Sequence, residues 1–315
     1  MKLPVKKCAV INDFSGFGRC SIAVALPVLS AMRVQCCALP TAILSNHTGY
    51  PNYYFDSYTD KMAAYADEWK KLSLEFDTIF SGFLGCSEQI DIVLKFFDDF
   101  KTDKNIIIVD PVMGDNGKIY STYSKELCEK MKNLVERADI ITPNITEACI
   151  LAGEEYVGED ISEEFAKKLA DKLSGGERSV VITGITRGDS ITTFVFDRKS
   201  GKYHSVNTRR IKESYPGTGD LFASVLCGAV TNGSSLLEAT EFASKFVEET
   251  TEYTSRFDTD HNDGIAFEPY LNRLCIYNKE RFYGKQKQKD FKSITCGCFR
   301  RNHLFSDHDT RRHRL

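Results

Sequence analysis

One short segment of the sequence combines residue types that could transfer a phosphoryl group. Residues 216–220 read Pro-Gly-Thr-Gly-Asp and precede a run whose apolar positions 221, 222, 225, 226 and 229 share one helical face. The glycines let a ligand approach the backbone, and the free N–H groups at a helix start attract anions. Asp220 would lie beside a phosphate bound there, where a carboxylate can accept the proton of an attacking alcohol.

The same segment is also compatible with a simple turn and helix cap, because short glycine motifs occur in many proteins that bind no phosphate. The chain has no Gly-x-x-x-x-Gly-Lys-Ser/Thr sequence and therefore no P-loop. Any phosphate site must use glycines and a helix start instead.

Small, polar or acidic residues come after each of five predicted strands. These residues are 12–18, 45–50, 110–115, 142–147 and 183–184. Ligands of open α/β sheets bind beyond the carboxyl ends of the strands. The repetition at five strand ends therefore predicts one shared site at that edge of the sheet.

The elements that must position these residues alternate through residue 275. Short β-branched runs predict strands at 8–11, 34–39, 78–80, 106–109, 139–141 and 179–182, with a hairpin formed by 191–196 and 203–206. Amphipathic stretches predict helices at 19–32, 58–72, 88–100, 123–137, 219–231 and 236–254. This alternation predicts an α/β fold with a mostly parallel sheet covered by helices on both faces.

Composition excludes several classes of partner. The formal net charge of -3 gives no reason to expect nucleic acid or an anionic membrane as the main partner. No run of about 18 apolar residues predicts a membrane span, and the first residues lack the apolar stretch of a secretory signal. Most of the 11 cysteines lie in apolar runs, which favours free buried thiols. We therefore expect a cytoplasmic protein.

The charge changes sign near the end of the chain. Residues 276–315 contain 11 Lys and Arg against 4 Asp and Glu, whereas residues 1–275 contain 30 against 40. The last segment also has little apolar periodicity. We therefore predict one domain over 1–275 and a basic, disordered tail over 276–315.

Four blocks of the sequence together resemble one known family. Pro-Gly-Thr-Gly-Asp before an apolar helix resembles the anion hole and base of the ribokinase-like superfamily. Residues 45–50 (Ser-Asn-His-Thr-Gly-Tyr), 110–115 (Asp-Pro-Val-Met-Gly-Asp) and 141–147 (Ile-Thr-Pro-Asn, then Glu147) resemble its pyridoxal kinase branch. The resemblance covers about residues 7–275 and has no counterpart of the tail. It implies a three-layer α/β/α fold, ATP-dependent phosphorylation of a vitamin B6 vitamer, and a homodimer.

The resemblance also implies roles for the residues that handle the transferred phosphoryl group. Asp220 would take the proton of the substrate hydroxyl. Gly217, Thr218 and Gly219 would form the anion hole and contact ATP. Thr48 would contact the substituents of the pyridine ring.

A second implied set would hold cations and nucleotide. Asp110, Thr142 and Glu147 would hold Mg²⁺, a monovalent cation such as K⁺ and their waters, as hard oxygen ligands should. Asn144 and Thr183 would contact the ATP phosphates.

Several of these residues have plain structural alternatives. Asp110 could belong to a strand-ending turn, and Glu147 could favour a helix start through the helix dipole. We interpret His47 as a hydrogen-bonded loop histidine, and Tyr65 and Trp69 as core residues.

Asp13 departs from the pattern of the resemblance. Mammalian-type pyridoxal kinases have a ring-contacting serine on the first loop, where this chain has Asp13. Residues 12–16 instead resemble the first loop of hydroxymethylpyrimidine kinases, although those usually have Gly-Thr-Gly-Cys where this chain has Gly-Thr-Gly-Asp. The vitamin B6 side is therefore favoured, and an acidic Asp13 would suit pyridoxamine. A hydroxymethylpyrimidine or dual-specificity kinase is the second hypothesis, and a non-catalytic vitamer- or nucleotide-binding regulator is the third.

Deletion of residues 276–315 tests the predicted domain boundary. Because the tail is polar and lies outside the resemblance, we expect turnover to persist and the thermal midpoint to change by less than about 5 °C. Scanning calorimetry of the full-length and shortened proteins measures this. A larger fall would mean that the tail packs on the core, since about 1 kcal/mol shifts the midpoint by only a few degrees.

Overall fold

A computed structural model describes residues 5–120, 123–213 and 215–275. The predicted tail at 276–315 lies outside the described residues and stays a prediction. The strands are β1 (Lys6–Ser15), β2 (Val34–Leu44), β3 (Phe55–Ser57), β4 (Thr78–Ser81), β5 (Ile106–Val109), β6 (Gly114–Asp115), β7 (Lys118–Ile119), β8 (Ile140–Ile141), β9 (Ser179–Arg187), β10 (Ser190–Asp197) and β11 (Lys202–Arg209). The helices are α1 (Ser21–Ala31), α2 (Thr59–Lys71), α3 (Ser87–Phe100), α4 (Lys125–Glu136), α5 (Ile145–Ala152), α6 (Glu163–Ser174), α7 (Thr218–Thr231) and α8 (Leu236–Thr254).

A nine-stranded sheet forms the centre of the molecule, in the order β11-β10-β9-β8-β5-β4-β1-β2-β3. The six strands from β9 to β2 run parallel, whereas β10, β11 and β3 are antiparallel to their neighbours. The mostly parallel sheet and the terminal hairpin are both confirmed.

Two separate apolar cores cover the two faces of this sheet. Alternation along β1 sends Ala9 and Ile11 to one core and Cys8 and Val10 to the other. The first core contains buried residues of α2 to α6, and the second contains those of α1, α7 and α8. The three-layer α/β/α architecture is therefore confirmed.

The structure also tests the predictions for the aromatic residues 65 and 69 and for the cysteines. Tyr65 and Trp69 pack against the first core, as expected. All nine cysteines of the described ranges are free thiols, but Cys36 and Cys37 are only partly buried. No helix within the described ranges combines the length and apolar character of a membrane span.

The structure corrects the sequence prediction at the end of β1. The strand continues past the predicted 8–11 to Ser15, so Asp13 lies within a strand and not on a loop. The register with β2 shifts between Asn12 and Phe14, and such irregularities re-aim side chains near functional sites. Asp13 is 6% exposed, which makes it an interior carboxyl group of the sheet edge.

Candidate active site

The candidate site lies beyond the carboxyl ends of the parallel strands, beside the start of α7. Gly217 is the N-cap of α7 and adopts φ +80°, a left-handed conformation that favours glycine. A Cβ atom at this position would lie 1.7 Å from the carbonyl oxygen of Arg19. The glycine therefore lets the start of α7 approach the segment that precedes α1.

The first turn of α7 presents backbone donors with an acidic side chain beside them. No side chain caps the helix start, and the hydroxyl of Thr218 donates backwards to the carbonyl of Tyr215. Asp220 lies in this first turn and is half-buried. Uncapped N–H groups can bind an anion, so the first turn of α7 combines possible phosphate donors with a carboxylate. The roles of anion hole and base stay predictions.

Asn12 links the carboxylate of Asp220 to the centre of the sheet, a contact that sequence reasoning did not identify. Its Nδ2 atom donates to Oδ1 of Asp220 at 3.4 Å. Its Oδ1 atom accepts from the N–H groups of Phe83 at 2.8 Å and Asp13 at 3.0 Å. Since both donors fix the oxygen side of the amide, the NH₂ group is left facing Asp220.

The protonation of Asp220 is set by burial and by its neighbours. Burial, followed by the negative charge of Asp13, raises the pKa of Asp220 to about 7. Hydrogen bonds from the backbone N–H of Ser21 and from Asn12 oppose this increase. Asp220 is therefore placed to accept a proton near neutral pH.

Asp13 itself is an interior acid that contacts the start of α1. Its Oδ2 atom accepts from the hydroxyl of Ser15 at 3.1 Å. Burial raises the pKa of Asp13, whereas hydrogen bonds from Ser21 and Ser15 lower it. Ser21 adopts φ 54°, which is unusual for a residue other than glycine, and it lowers the pKa values of both Asp13 and Asp220 against the effect of burial.

The predicted cation ligands lie close to one another at the ends of β5 and β8. The hydroxyl of Thr142 donates to Oδ1 of Asp110 at 3.0 Å. Burial, followed by the charge of Asp220, raises the pKa of Asp110 to about 8. Burial, followed by the charge of Asp110, also raises the pKa of Glu147.

Glu147 has backbone partners for both carboxylate oxygens. Oε1 accepts from the N–H of Met113 at 3.0 Å, and Oε2 accepts from the N–H of Asn144 at 2.9 Å. Glu147 also completes a capping box with Asn144 at the start of α5. Glu147 therefore has the structural role at a helix start that the sequence suggested as an alternative. A cation could contact it only through its remaining lone pairs or through a water.

The donor set fits a hard cation that takes part of its coordination from a phosphate. No group of three or more His, Cys, Asp or Glu side chains in a metal-binding arrangement occurs in the part of the chain that the structure describes. Asp110 and Glu147 are buried, and within the described ranges no Lys or Arg is among the main causes of their pKa shifts. Mg²⁺ commonly uses one or two carboxylates plus waters and substrate phosphates, so these two acids with Thr142 are compatible with it.

The remaining predicted residues lie on neighbouring loops. Asn144 and Thr183 pair as a parallel bridge between the ends of β8 and β9, and Nδ2 of Asn144 donates to the carbonyl of Gly114 at 2.8 Å. Thr48 is exposed on the loop after β2. The neighbouring His47 is buried with both ring nitrogens hydrogen-bonded, which confirms its interpretation as a satisfied loop histidine.

Comparison with known proteins assigns this arrangement to a family. Residues 22–264 match the phosphomethylpyrimidine kinase family. The crystal structure of a proposed phosphomethylpyrimidine kinase from Bacteroides thetaiotaomicron is similar, with a TM-score of 0.84 and 39% sequence identity, covering 87% of this chain and 95% of that one. A second crystal form of the Bacteroides protein, with a TM-score of 0.82, contains pyridoxal.

Two curated relatives have names from vitamin B6 metabolism and from thiamine biosynthesis. The pyridoxine/pyridoxal/pyridoxamine kinase of Bordetella avium is 29% identical over 245 residues, which cover 73% of this chain and 79% of that kinase. A chloroplastic thiamine biosynthetic bifunctional enzyme of Arabidopsis thaliana is 27% identical over 292 residues, or 87% of this chain. This chain spans only 53% of the length of the Arabidopsis enzyme.

Replacement of Asn12 by Leu tests whether its amide tunes Asp220. Loss of the Nδ2 donor should raise the pKa of Asp220, so the acid limb of the pH–rate profile moves to higher pH. A hydrogen bond to a charged group contributes about 1.5–3 kcal/mol, and this one is long. We therefore expect a shift of about half a unit to one unit. Measurements of kcat/KM across about pH 5 to 9 give the shift.

Asn105→Leu is the matched control. Asn105 is also buried, donates to the carbonyl of Phe100 at 2.7 Å and accepts from the N–H of Thr102 at 2.9 Å, but has no contact with Asp220. Its loss should lower the thermal midpoint and leave the acid limb in place. A profile of Asn12→Leu that superimposes on the wild type would contradict the tuning role.

Proposed function

Because the chain belongs to the phosphomethylpyrimidine kinase family, a group within the ribokinase-like superfamily, we propose that it phosphorylates the 5'-hydroxymethyl group of pyridoxal, pyridoxamine or pyridoxine. ATP would be the phosphoryl donor, and pyridoxal 5'-phosphate or its amine or alcohol counterpart would be the product. The relatives support a kinase that acts on pyridoxal or on hydroxymethylpyrimidine. The choice of a vitamin B6 vitamer as the substrate is our proposal.

The observation that carries the proposal is the position of Asp220 in the first turn of α7. The uncapped helix start provides donors for the transferred phosphoryl group. Asp220 lies in the same turn, and Asn12 contacts its carboxylate. A substrate hydroxyl placed between them would meet its proton acceptor and the phosphorus atom together.

Asp220 can accept the proton of the substrate hydroxyl only when its own carboxyl group is ionised. Burial and the charge of Asp13 raise its pKa to about 7, so the carboxylate is ionised above neutral pH and more basic than an exposed aspartate. In the proposed reaction it accepts the proton of the hydroxymethyl group as the oxygen attacks the γ-phosphorus. The bond between that phosphorus and the β–γ bridging oxygen breaks, and ADP leaves. Gly217, Thr218 and Gly219 would donate backbone N–H groups to the transferred phosphoryl oxygens.

The acids at the ends of β5 and β8 would act on the nucleotide side. Asp110, Thr142 and Glu147 would hold Mg²⁺, which when bound neutralises charge on the ATP phosphates. Asn144 and Thr183 would contact those phosphates from the bridge between β8 and β9. Thr48 would approach the substrate ring from its exposed loop.

Hydroxymethylpyrimidine is the second candidate substrate, and the first strand favours it. Residues 12–16 resemble the corresponding segment of hydroxymethylpyrimidine kinases, and the matching family takes its name from a phosphorylated pyrimidine. Asp220 in place of the usual cysteine favours a vitamin B6 vitamer. The homodimer and the cytoplasmic location stay predictions from the sequence.

Turnover by the purified protein separates these candidates. ADP release is followed with Mg-ATP and, in turn, pyridoxal, pyridoxamine, pyridoxine and hydroxymethylpyrimidine. We expect the highest kcat/KM with a vitamin B6 vitamer. A higher value with hydroxymethylpyrimidine would assign the chain to the second candidate, and binding without turnover would favour a regulator.

Asp220→Asn should fold normally and lose most of its activity. Loss of a general base typically lowers the rate by about 10²- to 10⁴-fold. The measurement is kcat at saturating substrates, with the thermal midpoint as the check on folding. Asp91→Asn is the control, because Asp91 pairs with Lys130 on the surface and should leave kcat unchanged. Near-native turnover of Asp220→Asn would remove this residue from the mechanism.

Asp13→Ser tests the origin of vitamer preference. A partly desolvated charge pair contributes a few kcal/mol, although desolvation offsets much of it. Pyridoxamine carries an ammonium group, so we expect its kcat/KM to fall about tenfold more than that of pyridoxal, or about 1.4 kcal/mol. Parallel kinetics with both vitamers measure the ratio. Equal losses for pyridoxal, pyridoxamine and pyridoxine would mean that Asp13 acts only on stability or on Asp220.

A further inference from the structure

A short 3-10 helix near the end of the described chain contacts three parts of the candidate site. It comprises His261–Asp263, with Asp260 as its N-cap and Gly264 after it. Sequence reasoning assigned this segment no role. Its partners come from the loop after β2, the segment before α1 and the approach to α7, which are otherwise separate in the chain.

The first set of contacts fixes the loop after β2, here called the Thr48 loop (residues 45–50). Nδ1 of His47 accepts from the N–H of Gly49 at 3.1 Å, so Nε2 carries the proton in the neutral ring. That Nε2 donates to the carbonyl of Asn262 at 2.7 Å. The hydroxyl of Tyr50 donates to Oδ1 of Asp263 at 2.9 Å. Residues on both sides of Thr48 are therefore tied to the 3-10 helix.

Glycines allow this close packing around the His47 ring. A Cβ atom on Gly18 would lie 2.3 Å from the ring, and one on Gly49 would lie 2.8 Å from it. Such separations are shorter than van der Waals contact, so a side chain at either position would displace the imidazole. The rings of His47 and Tyr50 also lie 4.9 Å apart.

The second set of contacts reaches the segment before α1. Nη1 of Arg19 donates to the carbonyl of Asp263 at 3.0 Å, and its Nε pairs with Oε1 of Glu268 at 2.7 Å. Arg19 is the residue whose carbonyl Gly217 approaches. The 3-10 helix thus contacts the residue on which the start of α7 packs.

The third set of contacts reaches the approach to α7 directly. The ring of His261 stacks on that of Tyr215, with centroids 5.8 Å apart and planes at 26°. A Cβ atom on Gly264 would lie 3.1 Å from the carbonyl of Pro216. Tyr215 and Pro216 immediately precede the proposed anion hole at 217–219.

We propose that the 3-10 helix His261–Asp263 holds the Thr48 loop at a fixed position relative to the anion hole. Tyr50 and Asp263 are the positioning residues. This inference rests on the proposed function, since it takes the Thr48 loop as the wall that faces the vitamer ring. The hydrogen bond between Tyr50 and Asp263 sets the position of that wall. Its loss should weaken vitamer binding more than ATP binding.

Kinetics of three variants test this assignment. Tyr50→Phe removes the donor and Asp263→Ala removes the acceptor, whereas Asp263→Asn keeps an acceptor oxygen. Each of the first two variants loses one intramolecular hydrogen bond, so each should raise KM for the vitamer about three- to tenfold, which is about 0.7–1.4 kcal/mol. KM for ATP should change by less than about twofold. Asp263→Asn should remain close to the wild type.

A double variant shows whether the two residues act through one bond. If they do, Tyr50→Phe combined with Asp263→Ala should raise the vitamer KM no further than either single change. Tyr203→Phe is the matched control, because the hydroxyl of Tyr203 donates to Oδ1 of Asp171 between β11 and α6. It removes a tyrosine–aspartate bond of the same kind and should leave the vitamer KM unchanged.

Hydrogen exchange tests the positioning role without any substrate. Amide exchange over residues 46–50 should accelerate in Tyr50→Phe and Asp263→Ala, and not in Asp263→Asn or Tyr203→Phe. Unchanged exchange in the first two variants, or an unchanged vitamer KM in an active enzyme, would overturn the inference. If the wild type phosphorylates no vitamin B6 vitamer, the proposed function fails, and exchange over 46–50 alone decides whether the 3-10 helix holds the loop.

Discussion

The structure depends on how four buried or half-buried acids are held together at one edge of the sheet. Beyond the effect of burial, the charge of Asp13 raises the pKa of Asp220, that of Asp220 raises the pKa of Asp110, and that of Asp110 raises the pKa of Glu147. Such a cluster is costly unless each charge has donors or a cation nearby. The fold supplies backbone N–H groups to Glu147 and Asp220 and hydroxyl groups to Asp13 and Asp110. Negative charge that these donors leave uncompensated suits a bound cation, the role proposed for Mg²⁺ at Asp110 and Glu147.

The sequence predicted the layers of this fold because most elements have a clear period. It missed α5 (Ile145–Ala152), in which six of the eight side chains are buried, the polar Thr146 and Glu147 among them, so that no amphipathic stripe marks the helix. It also missed α6, although Ser162 and Gly175 provide an ordinary helix cap at each end. β3 is short and exposed, so it depends on pairing with β2 and not on a pattern of its own.

The site was predictable where chemistry follows a strand end and unpredictable where it depends on distant contacts. Asp110, Thr142 and Asp220 lie at strand or helix ends, and the topology brings those ends to one edge. The bond between Asn12 and Asp220 joins residues 208 positions apart, and nothing in the local sequence around Asn12 records it. The same applies to Tyr50 and Asp263, which are 213 positions apart. Asp13 was placed wrongly because a polar residue ended the apolar pattern before the strand itself ended.

The site combines residues from the two ends of the described chain, which has a consequence for synthesis on the ribosome. The central strand β1, its partners β2 and β4, and β5 on the far side of β4 emerge early and can begin to pair, since domains fold from the N-terminal side as they are made. Asp13 and Asp110 then exist without Asp220, α7 or the 3-10 helix at His261–Asp263. Long-range contacts of this kind form late. A nascent or truncated chain would therefore carry the acids of the site before it carries the groups that organise them, and catalytic competence would appear only when the last helices have docked.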